Sequence, residues 1–160
     1  MIEVINLSKS YQNKKAVNNI NFDIGENEII GLLGPNGCGK TTTIAMMLGL
    51  LKPTKGKILI NKKDIEYHRI ELLHKMNFIS PYIELPKKLT VKQNLIVYAK
   101  LYNIKNIDER IEYLSSTLRL DKIINSLTGE LSSGQKNRVS LAKSLINNPS
   151  VLLLDEPTAS

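Results

Sequence analysis

Between Gly34 and Thr41 the chain reads Gly-Pro-Asn-Gly-Cys-Gly-Lys-Thr, which meets the pattern G-x-x-x-x-G-K-[ST] at each fixed position. The chemistry suited by that order of residues is capture of a polyphosphate. Gly34, Gly37 and Gly39 let backbone N–H groups turn toward phosphate oxygens, with Pro35, Asn36 and Cys38 completing the loop. A helix starting just beyond adds the positive end of its dipole. Lys40 then offers a cation to β and γ phosphates, Thr41 a hydroxyl to magnesium, and Thr42 support for the phosphates nearby. An ordinary glycine turn has no need of Lys-Thr in that place.

A second constellation lies near the C-terminal end, where four apolar residues, Val151 to Leu154, run into Asp155 and Glu156. This is the form of a buried strand delivering acids at its C-terminal edge, where ligands of open α/β sheets bind. Downstream of a phosphate loop, Asp155 is expected to hold magnesium through water and Glu156 to act as general base on an attacking water.

These groups need elements to carry them. Ile2–Leu7, Val17–Ile24 and Glu28–Leu33 are short, rich in Val and Ile, and bounded by Lys, Asn and Gly, so each is expected to be a strand. The third is nearly all apolar, as suits a parallel strand covered on both faces, and it leads straight into the glycine loop. A helix should follow from Thr41 to about Leu50, stopped by Gly49 and Pro53, with a strand at Lys57–Ile60. The middle of the chain has helical spacing: Val91, Leu95, Tyr98 and Tyr102 repeat along one stripe, and Thr90 with Gln93 forms a capping-box pattern. Ile107, Ile111, Leu114 and Leu118 repeat that stripe. A third helix is expected from Ser133 to Asn147, ended by Pro149, with Val139, Ala142 and Ile146 buried.

Composition bounds the rest. With 160 residues and 42% hydrophobic content, one domain with a substantial core is expected. The longest apolar runs, such as Ile44–Leu51, fall short of the 18 or so residues that span a bilayer, and the N-terminus has no signal-peptide pattern. A cytosolic chain is expected. Its one cysteine excludes an internal disulfide; in the loop, Cys38 is either a small filler or a thiol activated by the helix N-terminus. The net charge of +7 comes mainly from scattered lysines without interleaved aromatics, the pattern of a solvated surface, so no nucleic-acid partner is expected. His68 and His74 read as surface residues.

Leu131-Ser132-Ser133-Gly134-Gln135, some twenty residues before the acidic strand, resembles the LSGGQ signature of ATP-binding cassette (ABC) proteins. The order of the motifs from Ile2 to Ser160 is similar to that family's throughout, and the run from Gly39 to Ile58 looks most like its bacterial exporter subunits. Membership implies an α/β fold: a P-loop NTPase core sheet with an N-terminal β subdomain and an inserted α-helical subdomain, about residues 90–148. It implies binding and hydrolysis of MgATP, with ATP and Mg2+ as ligands, to power separate membrane-spanning transporter subunits from the cytoplasmic face of the inner membrane. Ser132, Gly134 and Gln135 would complete the nucleotide site of a second nucleotide-binding domain in a head-to-tail homodimer sandwich. Tyr11 stands where the family stacks an aromatic on adenine.

Three departures accompany the resemblance. Ser133 replaces the usual glycine, and Ser80, Pro81 or Tyr82 stands where the family has its Q-loop glutamine. The family also continues beyond Ser160 into a further strand, inserted between the acidic strand and Glu28–Leu33, and a switch histidine. On that basis the 160 residues alone are expected to bind nucleotide and to hydrolyse it very slowly or not at all, and a truncated, non-hydrolysing remnant or regulatory module is the alternative. A soluble ABC protein of translation or DNA repair would need a second cassette or a long coiled coil, neither of which appears.

Overall fold

Ile2 and Val4 point to one side of a strand by simple alternation, but the next buried residue is Leu7, three positions on. The odd step is a bulge. Asn6 takes φ 49°, a left-handed conformation that asparagine tolerates, and the register with the neighbouring strand shifts between Val4 and Leu7. The strand then continues past its expected end, so that β1 covers Ile2–Tyr11. β2 (Lys14–Ile24) returns antiparallel to it, with Tyr11 opposite Lys14 at the turn. In the computed structural model all residues are described except Asn13, 81–83 and 156–160.

After β2 the chain passes through the glycine loop into α1 (Lys40–Met47), whose Thr43, Ile44, Met46 and Met47 are buried. Gly49, at φ 62°, ends the helix: its N–H donates to Met46 O and that of Leu50 to Ala45 O, the paired closure that favours glycine just past a helix. β3 (Lys55–Ile60) and β4 (Lys63–Asp64) complete a four-stranded antiparallel sheet in the order β2-β1-β3-β4, and α2 (Arg69–Leu73) follows. Lys52 pairs with Glu66 and Lys63 with Glu71 on its surface. These elements form one compact unit, Met1–Leu73.

Glu28–Leu33 differs from expectation. It joins no ladder among the described residues, and Ile29, Ile30, Leu32 and Leu33 are exposed, Ile29 completely. Apolar, β-branched residues make a strand favourable only where another backbone stands alongside to take the hydrogen bonds. Among the described residues no strand pairs with it.

The second unit is His74–Ser160. Its strands, β5 (Met76–Ile79) and β6 (Val151–Leu154), pair parallel with Met76 opposite Val151 and Ile79 opposite Leu154. Between them in sequence come α3 (Val91–Leu101), α4 (Ile107–Leu118) and α5 (Ser133–Leu145). The anticipated stripes form their common core: Val91 and Leu95 meet Ile111 and Leu114 and the fully buried Val139, Ala142 and Ile146. Tyr98, Tyr102, Ile107 and Leu118 line its edge, half-buried. Each large aliphatic side chain so buried contributes about 1.5–3 kcal/mol. α5 is tied to β5 by Asn147, which accepts from Asn77 Nδ2 at 2.9 Å and donates to Met76 O at 3.1 Å. Lys143 on the same helix is also buried. Its ammonium lies 5.3 Å from the centre of the Tyr98 ring and donates to Phe78 O, and loss of hydration pushes it below the ordinary lysine range.

Thr90 caps α3 as its sequence predicts. The Thr90 hydroxyl accepts from Gln93 N–H at 3.1 Å while Gln93 Oε1 accepts from Thr90 N–H at 2.9 Å. Thr90→Ala should therefore lower stability by about 1 kcal/mol, a fall of about 2–4 °C in Tm for a chain of this size. A thermal melt followed by circular dichroism checks it.

Candidate functional site

The glycine loop is held from both ends. Cys38 N–H donates to Pro35 O at 3.3 Å, closing a turn, and Thr43 donates from both N–H (2.8 Å) and hydroxyl (2.9 Å) to Gly39 O. Gly39 is the N-cap of α1 at φ 99°, and it has a second constraint. A Cβ built there would overlap the Ala16 carbonyl oxygen of β2 and sit 3.0 Å from Val17 Cγ2. Backbone meets backbone at this point, so the loop is fixed to the hairpin that carries Tyr11. No acidic residue lies in the first turn of α1, and no side chain caps its N-terminus. Its leading N–H groups are thus oriented for an anionic ligand.

Lys40 opens the helix and turns its ammonium back over the loop, donating to Gly34 O at 2.7 Å and Pro35 O at 2.9 Å. Cys38 Sγ lies 4.0 Å from the same nitrogen, and Cys38 is exposed, as are Gly34, Pro35, Asn36, Gly37 and Thr41. Thr42 is half-buried. Tyr11 ends β1 with 49% of its surface exposed. Tyr11 and the glycine loop both belong to the first unit, Tyr11 ending β1 and the loop leading into α1.

The remaining predicted residues belong to the second unit. Ser132 is the N-cap of α5, and with Gln135 it forms another capping box: Gln135 N–H donates to Ser132 Oγ at 3.3 Å, and Gln135 Oε1 accepts from Ser132 N–H at 2.8 Å. The S-x-x-Q spacing that announces it is the same signal that marks Thr90 and Gln93. A Cβ at Gly134 would meet nothing within 4 Å, so the first turn of α5 is open there. Asp155 follows β6, is buried, and donates its N–H to Ile79 O at 2.9 Å, which carries the parallel ladder one residue further and holds the Asp155 backbone at the strand end. Ser80 is buried just beyond β5. Glu156, Pro81 and Tyr82 lie outside the described residues.

A family model described as "ABC transporter" matches residues 17–159, nine-tenths of the chain. The chain belongs to the ABC transporter family. Among the relatives of this ABC chain, the Nod factor export ATP-binding protein I of Rhizobium johnstonii is 39% identical over 98% of the chain and 51% of its own length. The bacitracin transport ATP-binding protein BcrA of Bacillus licheniformis is 38% identical over 99% of the chain and 51% of its own. The chain thus spans about half the length of these curated relatives. Among solved structures, an ATP-binding subunit of an ABC transporter matches with TM-score 0.87 and 27% identity over 99% of the chain and 67% of its own length. The dimeric ATP-binding cassette MJ0796, in a post-hydrolysis state with ADP and Pi, matches at 0.84 and 26% over 99% and 75%. The α/β, P-loop NTPase fold expected from the sequence is the fold of these neighbours.

Proposed function

We propose that the chain binds MgATP on Gly34–Thr41 and serves, as the ATP-hydrolysing subunit of an ABC transporter, to drive transport by separate membrane-spanning subunits. The observation that carries this reading is the loop itself: a glycine-bounded turn, a helix N-terminus without an acid, and the Lys40 ammonium turned over the loop. Phosphates approaching it meet backbone N–H donors, the helix dipole and a cation together. Gly34, Pro35, Asn36, Gly37, Cys38 and Gly39 form the cradle, Thr42 supports it from the first turn, and Tyr11 receives the base.

Thr41 and Asp155 suit magnesium because each offers oxygen, the donor that Mg2+ prefers, and Asp155 brings a carboxylate at the end of β6. When bound, the ion neutralises phosphate charge. Glu156 follows Asp155 directly in sequence, and we assign it the general base that takes a proton from the attacking water. Helices α3 to α5 are read as the inserted helical subdomain, about residues 90–148. At the start of α5, Ser132, Gly134 and Gln135 would face the γ-phosphate held by a second copy, in keeping with the dimeric cassette among the structural neighbours. No described helix is long and apolar enough to cross a membrane, and the membrane-spanning part is assigned to partner subunits at the cytoplasmic face of the inner membrane. The relative named for Nod factor export favours an exporter.

Lys40→Ala tests the binding step. A charge-assisted hydrogen bond of this kind contributes about 1.5–3 kcal/mol, so MgATP affinity should fall about 10- to 100-fold. Calorimetric titration of both proteins decides the matter. Equal affinity would mean that nucleotide binds elsewhere.

A further inference from the structure

Lys9 and Tyr11 lie two residues apart on β1 and therefore on one face of the strand. The Lys9 Nζ stands 5.3 Å from the centre of the Tyr11 ring, close enough for an ammonium to be held by an aromatic face. Its own position is fixed by donation to Lys52 O at 2.8 Å. Lys52 belongs to the segment that leaves α1, and the same segment is laced to β1 twice more: Ser10 N–H donates to Thr54 Oγ1 at 3.1 Å, and Thr54 N–H donates to Ser8 O at 2.8 Å. The cation over the ring is thus anchored to the segment that follows α1.

We propose that Lys9 is a positioning residue for the nucleotide base: held by the Lys52 carbonyl, its ammonium fixes the Tyr11 ring so that a purine stacks on the ring surface left exposed. This rests on the reading of Tyr11 as the base platform. A half-exposed tyrosine without such a contact loses rotational freedom when a base stacks on it; with Lys9 in place much of that loss has already occurred in the free protein. The ammonium also draws electron density from the ring, which improves its match to an electron-rich purine. The effect belongs to the base alone, since inorganic tripolyphosphate has nothing to stack.

The test compares ATP with tripolyphosphate, each titrated with magnesium into wild type, Lys9→Met, Lys9→Arg, Tyr11→Ala and the Lys9→Met/Tyr11→Ala double variant. Lys9→Met should weaken ATP binding about three- to tenfold and leave tripolyphosphate unchanged. Lys9→Arg, which keeps a stacking cation and a donor for Lys52 O, should restore ATP binding, and Lys9→Met should add nothing once Tyr11 is alanine. If Tyr11→Ala lowers the preference for ATP but Lys9→Met leaves it unaltered, or weakens both ligands equally, the role of Lys9 is refuted while the base platform stands. If Tyr11→Ala itself leaves the preference unaltered, the platform reading fails and the proposal falls with it.

Discussion

Glu156→Gln is expected to lower ATP turnover about 10²- to 10⁴-fold, the range that a positioned general base supplies, while MgATP affinity stays nearly the same. The amide has the size of the carboxylate but cannot accept the proton that an attacking water must lose. Asp155 is unlike it in consequence. Its backbone is held by the ladder bond from its N–H to Ile79 O, and its carboxylate is assigned to the metal, so Asp155→Asn should weaken binding as well as turnover. With hydrolysis blocked and ATP retained, the Glu156→Gln protein should accumulate an ATP-bound dimer. Phosphate release and size-exclusion chromatography with ATP, in a form of the protein that turns over, measure both effects. Undiminished hydrolysis with only monomer would sink the base assignment and the sandwich together.

Gly39→Ala should do more damage than any other single methyl in the loop. The residue adopts φ 99°, and its missing Cβ is replaced in space by the Ala16 carbonyl. A backbone conformation unsuited to an L side chain costs about 1–2 kcal/mol, and forcing a methyl group into packed backbone costs about 1–3 kcal/mol more. The loop and β2 cannot both keep their places. Stability should fall by about 3 kcal/mol, or about 6–12 °C in Tm, and phosphate binding should be lost even below the new melting temperature because the N-cap of α1 has moved. By contrast, a Cβ at Gly37 would meet nothing within 4 Å, although φ 79° still disfavours alanine there. Gly37→Ala should therefore be the milder variant. Melting curves and nucleotide titration on the pair check the order.

The helices were legible because their signals are local. Thr90 and Gln93 announce a capping box, and Val139, Ala142 and Ile146 announce one face; the structure contains both. The glycine loop was equally plain, since its residue types have little use apart from phosphate. Pairing between strands was less so. Met76–Ile79 has only four residues and no alternation, and it becomes a strand because Val151–Leu154 runs beside it, a partner more than seventy residues away. Glu28–Leu33 is the converse case, with strand-forming residues and no ladder among the described residues. The cation on Tyr11 was hidden for a related reason: with β1 expected to end at Leu7, nothing put Lys9 and Tyr11 on one face until the bulge at Asn6 carried the strand on. Ser132 and Gln135 carry the same local signal, an S-x-x-Q spacing that becomes the cap of α5.

If the backbone of Gly34–Thr41 grips phosphate, the amide resonances of those residues will report it during titration with MgATP and then with magnesium tripolyphosphate. Both ligands should shift the Gly37, Cys38, Gly39, Lys40 and Thr41 amides together, with a single saturation curve for each ligand, and Tyr11 should respond to ATP alone. Saturable ATP binding that leaves those amides unmoved, or no binding at millimolar nucleotide, would rule out phosphate capture by this loop.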